Sequence, residues 1–152
     1  MGVAALGCQV VARDMTRDEW RAFVSDGTRT GKLATTRKDG RPHVVPVWFA
    51  LDGDDIVFTT AVNSVKAHAL RRTGQACLCV DDQQPPYSFV TIEGNATLGE
   101  DLDQVRQVAT RVGARYMGAD RAEEFGQRNA VPEECVVRLT PSKVIAIADM
   151  AD

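Results

Sequence analysis

The chain has 152 residues, 16.5 kDa and a formal net charge of −3. That length fits one domain, since single domains run to roughly 100–200 residues. With 44% hydrophobic and 26% charged residues the composition is that of a globular protein able to bury a core, and the acidic balance argues against a general nucleic-acid binder.

Four cysteines (Cys8, Cys77, Cys79, Cys135) show neither Cys-x-x-Cys spacing nor the density of a disulfide scaffold, so a reducing cytoplasm is the expected compartment. The apolar run Val3-Ala4-Ala5-Leu6-Gly7-Cys8 ends on a cysteine as a lipoprotein leader would. No basic residue precedes it, however, and it is too short for a charged head and an apolar segment. Residues 1–15 are expected to form a flexible extension, and residues 16–149 a single domain. Nothing in the chain approaches the roughly 18 consecutive apolar residues of a membrane span.

Thr16-Arg17-Asp18-Glu19 has the form of a capping box, with Trp20, Phe23 and Val24 following on one helical face. From Gly31 the pattern changes to strands at 32–36, 44–51 and 56–60. Asp39-Gly40 and Asp52-Gly53 between them predict an antiparallel meander. In the second strand Val45, Val47, Phe49 and Leu51 alternate with Val44, Pro46, Trp48 and Ala50, which predicts a barrel wall covered on both faces. A short helix over 65–72, two strands at 75–81 and 88–98, and helices near 102–116 and 121–128 come next. The chain closes with strands at 135–139 and 143–148, meeting at a bend through Thr140-Pro141-Ser142. Six or so strands without a β-helix-β rhythm predict a mainly β fold, a closed antiparallel barrel with accessory helices.

The segment from Ile56 to Arg72 is the most informative chemically. A strand ends in Thr59-Thr60, turns through Asn63-Ser64 and enters a helix bearing Lys66, Arg71 and Arg72. Helix-start amides, hydroxyls and a lysine converging on one point make a phosphate cradle in outline. An ordinary capped surface helix has the same composition, so both readings stand at this stage. Pro46 removes an amide donor from the second strand, which calls for a sheet edge, a bulge or a flat ligand lying against Val45, Pro46, Val47 and Trp48. Two histidines, His43 and His68, without a nearby acidic cluster do not suggest a metal site, and no catalytic triad is visible. Cys77 and Cys79 share a strand face and read as packing.

Taken in order, Gly31-Lys32-Leu33-Ala34-Thr35-Thr36, the run from Asp39-Gly40-Arg41-Pro42-His43 through Pro46-Val47-Trp48-Phe49, and Thr59-Thr60 through Lys66 to Arg72 resemble the pyridoxamine-phosphate-oxidase-like family of split β-barrels. The resemblance covers residues 16–149. Asp81-Asp82, Pro85-Pro86-Tyr87, the run from Ala114 to Ala122 and Val144-Ile145-Ala146 are similar to its actinobacterial branch that uses the deazaflavin coenzyme F420. The resemblance implies a homodimeric oxidoreductase with its cofactor in a groove at the dimer interface. The cofactor would be F420 or, alternatively, FMN. It further implies that Thr59, Thr60, Asn63, Ser64 and Lys66 hold the phosphate, that Arg72 lies near the acidic tail, and that Val45, Pro46, Val47 and Trp48 back the ring. Tyr87, Tyr116 or Arg128 would enter from the other subunit. The implied reaction is hydride transfer from reduced deazaflavin to an unsaturated or quinone-like small molecule. A cofactor-sequestering module is the alternative, and no evident basic pocket supports pyridoxal phosphate as substrate.

Overall fold

The computed structural model describes residues 12–151. Its sheet has eight strands: β1 (Arg13–Asp14), β2 (Gly31–Thr36), β3 (Pro42–Val47), β4 (Ala50–Asp52), β5 (Asp55–Ala61), β6 (Gln75–Asp81), β7 (Phe89–Gly99) and β8 (Glu134–Ala148). Four helices accompany it: α1 (Arg17–Ser25), α2 (Val65–Thr73), α3 (Leu102–Met117) and α4 (Ala122–Asn129), the last entered through a 3-10 turn at Ala119–Arg121. All pairings are antiparallel, in the order β3-β2-β6-β7-β8-β5-β4 with β1 added to β8.

The expected turns form where the residues require them. Gly40 and Gly53 take φ of 86° and 63° in the β2–β3 and β4–β5 hairpins, a region open to glycine because it has no Cβ. Thr16 caps α1 with its hydroxyl 3.2 Å from the Glu19 amide, while the Glu19 carboxylate accepts from the Thr16 amide at 2.8 Å. A Thr16→Ala variant should lose about 1 kcal/mol of stability, seen as a lower urea midpoint at unchanged slope.

Four expectations need correction. The second strand is not continuous. β3 pairs with β2 up to Val47, β4 pairs with β5 from Ala50, and Trp48 and Phe49 lie in neither ladder. The segment 42–52 therefore runs from one end of the sheet order to the other, closing the barrel covalently where backbone pairing stops. Nor does the single chain cover this strand on both faces, for Val44 is 60% and Trp48 41% exposed within it. The two closing strands are one strand, β8, because a register shift between Glu93 and Gly94 on β7 leaves Ser142 as the extra residue and lets pairing resume at Pro141, which lacks an amide to give the ladder. With the second strand split into β3 and β4 and β1 added, the described residues form eight strands rather than about six. Finally, the expected extension contributes to the sheet at its end: Arg13 and Asp14 pair with Ala148 and Ile147, and the Met15 amide donates to Ala146 O at 2.9 Å. The apolar run with Cys8 lies outside the described residues.

Two apolar clusters hold the barrel. Inside, Leu33, Phe49, Ile56, Phe58, Leu78, Val90, Ile92 and Leu139 pack with Trp20 and Val24 of α1 and Leu70 of α2. Outside, Val105, Val108 and Val112 of α3 lie on Ala50, Val57 and Val136, so α3 is fastened to the outer face of β4, β5 and β8. Burial of these side chains is worth roughly 1.5–3 kcal/mol each relative to exposure. It sets α3 and α4 beside the broken β3–β4 wall. No described helix is long and apolar enough to cross a membrane.

Candidate functional site

Between the β3–β4 break, the end of β5, the start of α2 and the α3–α4 pair lies a cavity of about 450 Å³. One wall is apolar and aromatic, made by Pro46, Val47, Trp48 and Phe125. The remaining lining is polar, with Thr59, Thr60, Lys66, Arg128, Asn129 and Glu134, and the Arg128 guanidinium lies 5.7 Å from the centre of the Phe125 ring. A concave site with an apolar body and a few convergent polar groups is the usual form of a small-molecule site.

The polar end is built by local rules. Ser64 caps α2, accepting from the Ala67 amide at 3.1 Å, and its hydroxyl lies 3.1 Å from that of Thr60. The turn leading into the helix is tied down by Val62, whose amide donates to Glu133 O at 2.8 Å, and by Arg71, which donates to Val62 O at 2.6 Å. The amides of Val65 and Lys66 open the helix, where amides have no intrahelical acceptor and the helix dipole is positive. From α4, Asn129 Nδ2 donates to the Thr59 hydroxyl at 3.4 Å. Lys66 and Arg128 supply positive charge from two different helices.

The aromatic end is fixed from α3. Trp48 stacks on Tyr116 with ring centroids 5.1 Å apart and planes 4° from parallel, and Phe125 meets Trp48 tilted at 6.1 Å. Such offset stacks are favourable beyond their buried area. The Tyr116 hydroxyl donates to Arg29 O at 2.8 Å and accepts from the Phe49 amide at 3.3 Å. Arg115 donates to Phe49 O at 2.8 Å, to Val24 O at 2.7 Å and to Gly27 O at 3.0 Å. The backbone of Phe49, left without a strand partner at the break, is therefore satisfied by consecutive side chains of one helix. Burial raises the Tyr116 phenol above its ordinary pKa and lowers that of Arg115. Tyr116 thus stays a neutral donor across the neutral range.

Of the residues singled out from sequence, Pro46, Val47, Trp48, Thr59, Thr60 and Lys66 come together on this cavity. Ser64 stands behind them as the cap. Val45 packs against the interior cluster, and Asn63 is exposed in the turn. Arg72 donates to Thr36 O and lines a separate cleft with Arg37, Arg41 and His68. Tyr87 lies in the β6–β7 connection, 43% exposed, its carbonyl accepting from the Met150 amide at 2.9 Å. The structure adds Phe125, Asn129 and Glu134, which the sequence reading did not single out. It also places Arg128 of the same chain in the cavity. The available signal for the α3–α4 wall was a pair of glycines. A Cβ on Gly113 would come within 2.7 Å of Phe125 Cβ, and one on Gly126 would collide with Thr110, so both mark a close helix approach.

A mainly antiparallel split barrel with a cavity beside its broken wall defines the structural class. The model of the pyridoxamine 5'-phosphate oxidase family matches residues 16–148, and the chain belongs to that family. It is 29% identical over 137 residues to the F420H(2)-dependent biliverdin reductase of Mycobacterium tuberculosis (strain CDC 1551 / Oshkosh), covering 89% of this chain and 90% of that protein. Among solved structures it is similar to a conserved hypothetical protein of Mycobacterium tuberculosis, Rv2991, with TM-score 0.77, 28% identity, and 87% and 84% of the two chains covered. An F420 reductase shares the fold at TM-score 0.61 and 22% identity, over 81% of this chain and 94% of that one.

Proposed function

We propose that this protein is an F420-dependent oxidoreductase that reduces an unsaturated or quinone-like small molecule, with the coenzyme seated in the cavity between β3, β5, α2 and α3–α4. The observation that carries this reading is a single cavity lined both by cationic and hydroxyl-bearing side chains and by flat apolar ones. A phosphate-bearing tricyclic ring needs both. Lys66, Arg128, Thr59 and Thr60 would hold the phosphate through charge-assisted and hydroxyl hydrogen bonds. Pro46, Val47 and Trp48 would face the ring, the missing amide of Pro46 leaving that strand edge free to receive it. The 29% identity to a reductase named for reduced F420 supports the choice of coenzyme.

When bound, the reduced deazaflavin supplies a hydride, and the protein's contribution is binding, orientation and electrostatics. That division of labour fits a cavity without a nucleophile–base pair. Trp48 is held in plane by Tyr116, so the wall behind the ring is set before any ligand arrives. Lys66 and Arg128 would offset the phosphate charge, while Val47, Val112 and Phe125 supply apolar lining that would limit the access of water.

Titration of the purified protein with F420 and with FMN, followed by fluorescence, tests the reading. Saturable binding of F420 is expected, and binding of neither compound would end it. Preferential retention of FMN, visible as a yellow protein, would favour the FMN alternative. Tight F420 binding without turnover against activated alkenes and quinones would favour a sequestering module. A Lys66→Ala variant should bind F420 about 10–100-fold more weakly through loss of a charge-assisted contact; unchanged affinity would remove Lys66 from the site.

We also infer a homodimer, expected in the cytoplasm. Across β3, β2 and β6 the residues Val44, Ala34 and Cys77 stand in register, and Pro46, Lys32 and Cys79 form the next row, continued through Thr91 to Ile145. Val44 and Ile145 are 60% and 39% exposed. The exposed apolar side chains of this face, set beside Lys32 and Thr91, suit a second copy of the same face. Sedimentation should give twice the chain mass; a monomer that binds F420 would contradict a shared groove.

A further inference from the structure

The cavity assigned to the cofactor contains a carboxylate that the proposed function does not use. Glu134 opens β8, paired across the ladder with Ala61 at the end of β5, and lines the cavity together with Lys66 and Arg128. It is half-buried and makes no salt bridge among the described residues. Burial raises its carboxyl above the ordinary pKa, while Lys66 on α2 and Arg128 on α4 oppose that rise. From β5 only the uncharged Thr59 and Thr60 line the cavity. A site meant only to attract anions would have no reason to keep a carboxylate beside its two cations.

Two positive groups and one negative group leave the cradle with a single net positive charge. A phosphodiester brings one negative charge and is matched by it. A phosphomonoester brings close to two above its second pKa of about 6, and its excess charge faces Glu134 inside a partly desolvated cavity. We propose that Glu134 is a specificity-determining residue, a charge filter that favours cofactors whose phosphate is a singly charged diester over those ending in a doubly charged monoester. This rests on the cofactor reading above, and it accounts for how one barrel could prefer the deazaflavin coenzyme, a phosphodiester, to FMN.

Coulomb energy scales with the product of the charges, so the filter makes a quantitative demand on a Glu134→Gln variant. At pH 8 a phosphodiester facing residue 134 should gain about five-fold and a phosphomonoester about 25-fold, the square of the first factor, so FMN should gain more than F420 even though the acidic tail of F420 adds to its own gain. Riboflavin, which has no phosphate, should bind the variant and the parent alike. Glu134→Asp keeps the charge and should preserve the parental preference, which separates charge from packing. Equal gains for F420 and FMN, or a gain for riboflavin, would overturn the filter. If the parent binds none of the three, the cofactor reading fails by itself. The filter is then measured with phenyl phosphate and diphenyl phosphate, through the amide shifts of Thr59, Thr60 and Asn129. There the monoester must gain more than the diester on Glu134→Gln, and an equal response would overturn it.

Discussion

A Gly94→Ala variant should melt roughly 10 °C below the parent, a loss of about 3 kcal/mol for a chain of this size. Gly94 sits at the register shift where β7 crosses β8 opposite Pro141. A Cβ there would lie 2.8 Å from the Thr140 carbonyl carbon, nearer still to its oxygen, and 3.2 Å from Leu139 Cδ1. The obstruction is backbone, so no rotamer change relieves it and both strands must separate. Because β7 and β8 lie in the middle of the sheet order, separation there opens the interior cluster as well. Gly99→Ala is the matched control in the same strand. Its nearest neighbour would be Gln104 Oε1 at 3.6 Å, an ordinary contact, and its stability should stay within about 0.5 kcal/mol of the parent. Equal stability of the two variants in thermal unfolding would show that the crossing is not tight.

Replacing Arg115 by methionine should cost about 3 kcal/mol and weaken F420 binding in the same protein. The guanidinium serves Val24 O, Gly27 O and Phe49 O, and lies over the rings of Phe49 and Tyr116 at 4.7 and 4.9 Å. Methionine keeps much of the volume but leaves partly buried carbonyls without a donor, which costs roughly 1–3 kcal/mol per group before relaxation. No carboxylate pairs with Arg115 among the described residues, so its value lies in donors rather than in an ion pair. Losing it frees the Phe49 backbone, and Trp48 moves with its neighbour. Arg115→Lys, with fewer and differently placed donors, should recover only part of the stability. Urea unfolding and F420 titration on the same samples check both effects. A destabilised protein with parental affinity would show that Arg115 holds the fold but not the cavity wall.

These two positions show where local sequence information stops. The capping box at Thr16, the glycine turns at Gly40 and Gly53, the Ser64 cap of α2 and the period of α3 were all legible, because each is decided by residues within four or five positions of one another. The polar half of the site was legible for the same reason: Thr59, Thr60, Ser64 and Lys66 fall within one strand–turn–helix unit. The strand break at Trp48-Phe49 was not legible. Its alternation is unbroken, and the ladder stops because Arg115 and Tyr116, distant in sequence, take over the Phe49 backbone. The join in β8 was misread in the opposite sense. Pro141 signals an end locally, but the register shift beside Gly94 lets the strand continue. Arg72, placed near the cofactor's acidic tail by resemblance, stands away from the cavity, since the resemblance gave its order in the chain and not its direction in space.

The sequence by itself therefore determined the class of fold, the turns that pleat it and the cradle at the start of α2, all of them products of short-range stereochemistry and hydrogen bonding. Only the tertiary structure decided what faces that cradle. Packing of Val105, Val108 and Val112 on β4, β5 and β8 brings α4 across the open wall. That carries Phe125, Arg128 and Asn129 to the cavity, while the pairing of β8 with β5 carries Glu134 there. The net charge of the site is a sum over elements that meet only when the barrel closes, and no window of sequence contains it.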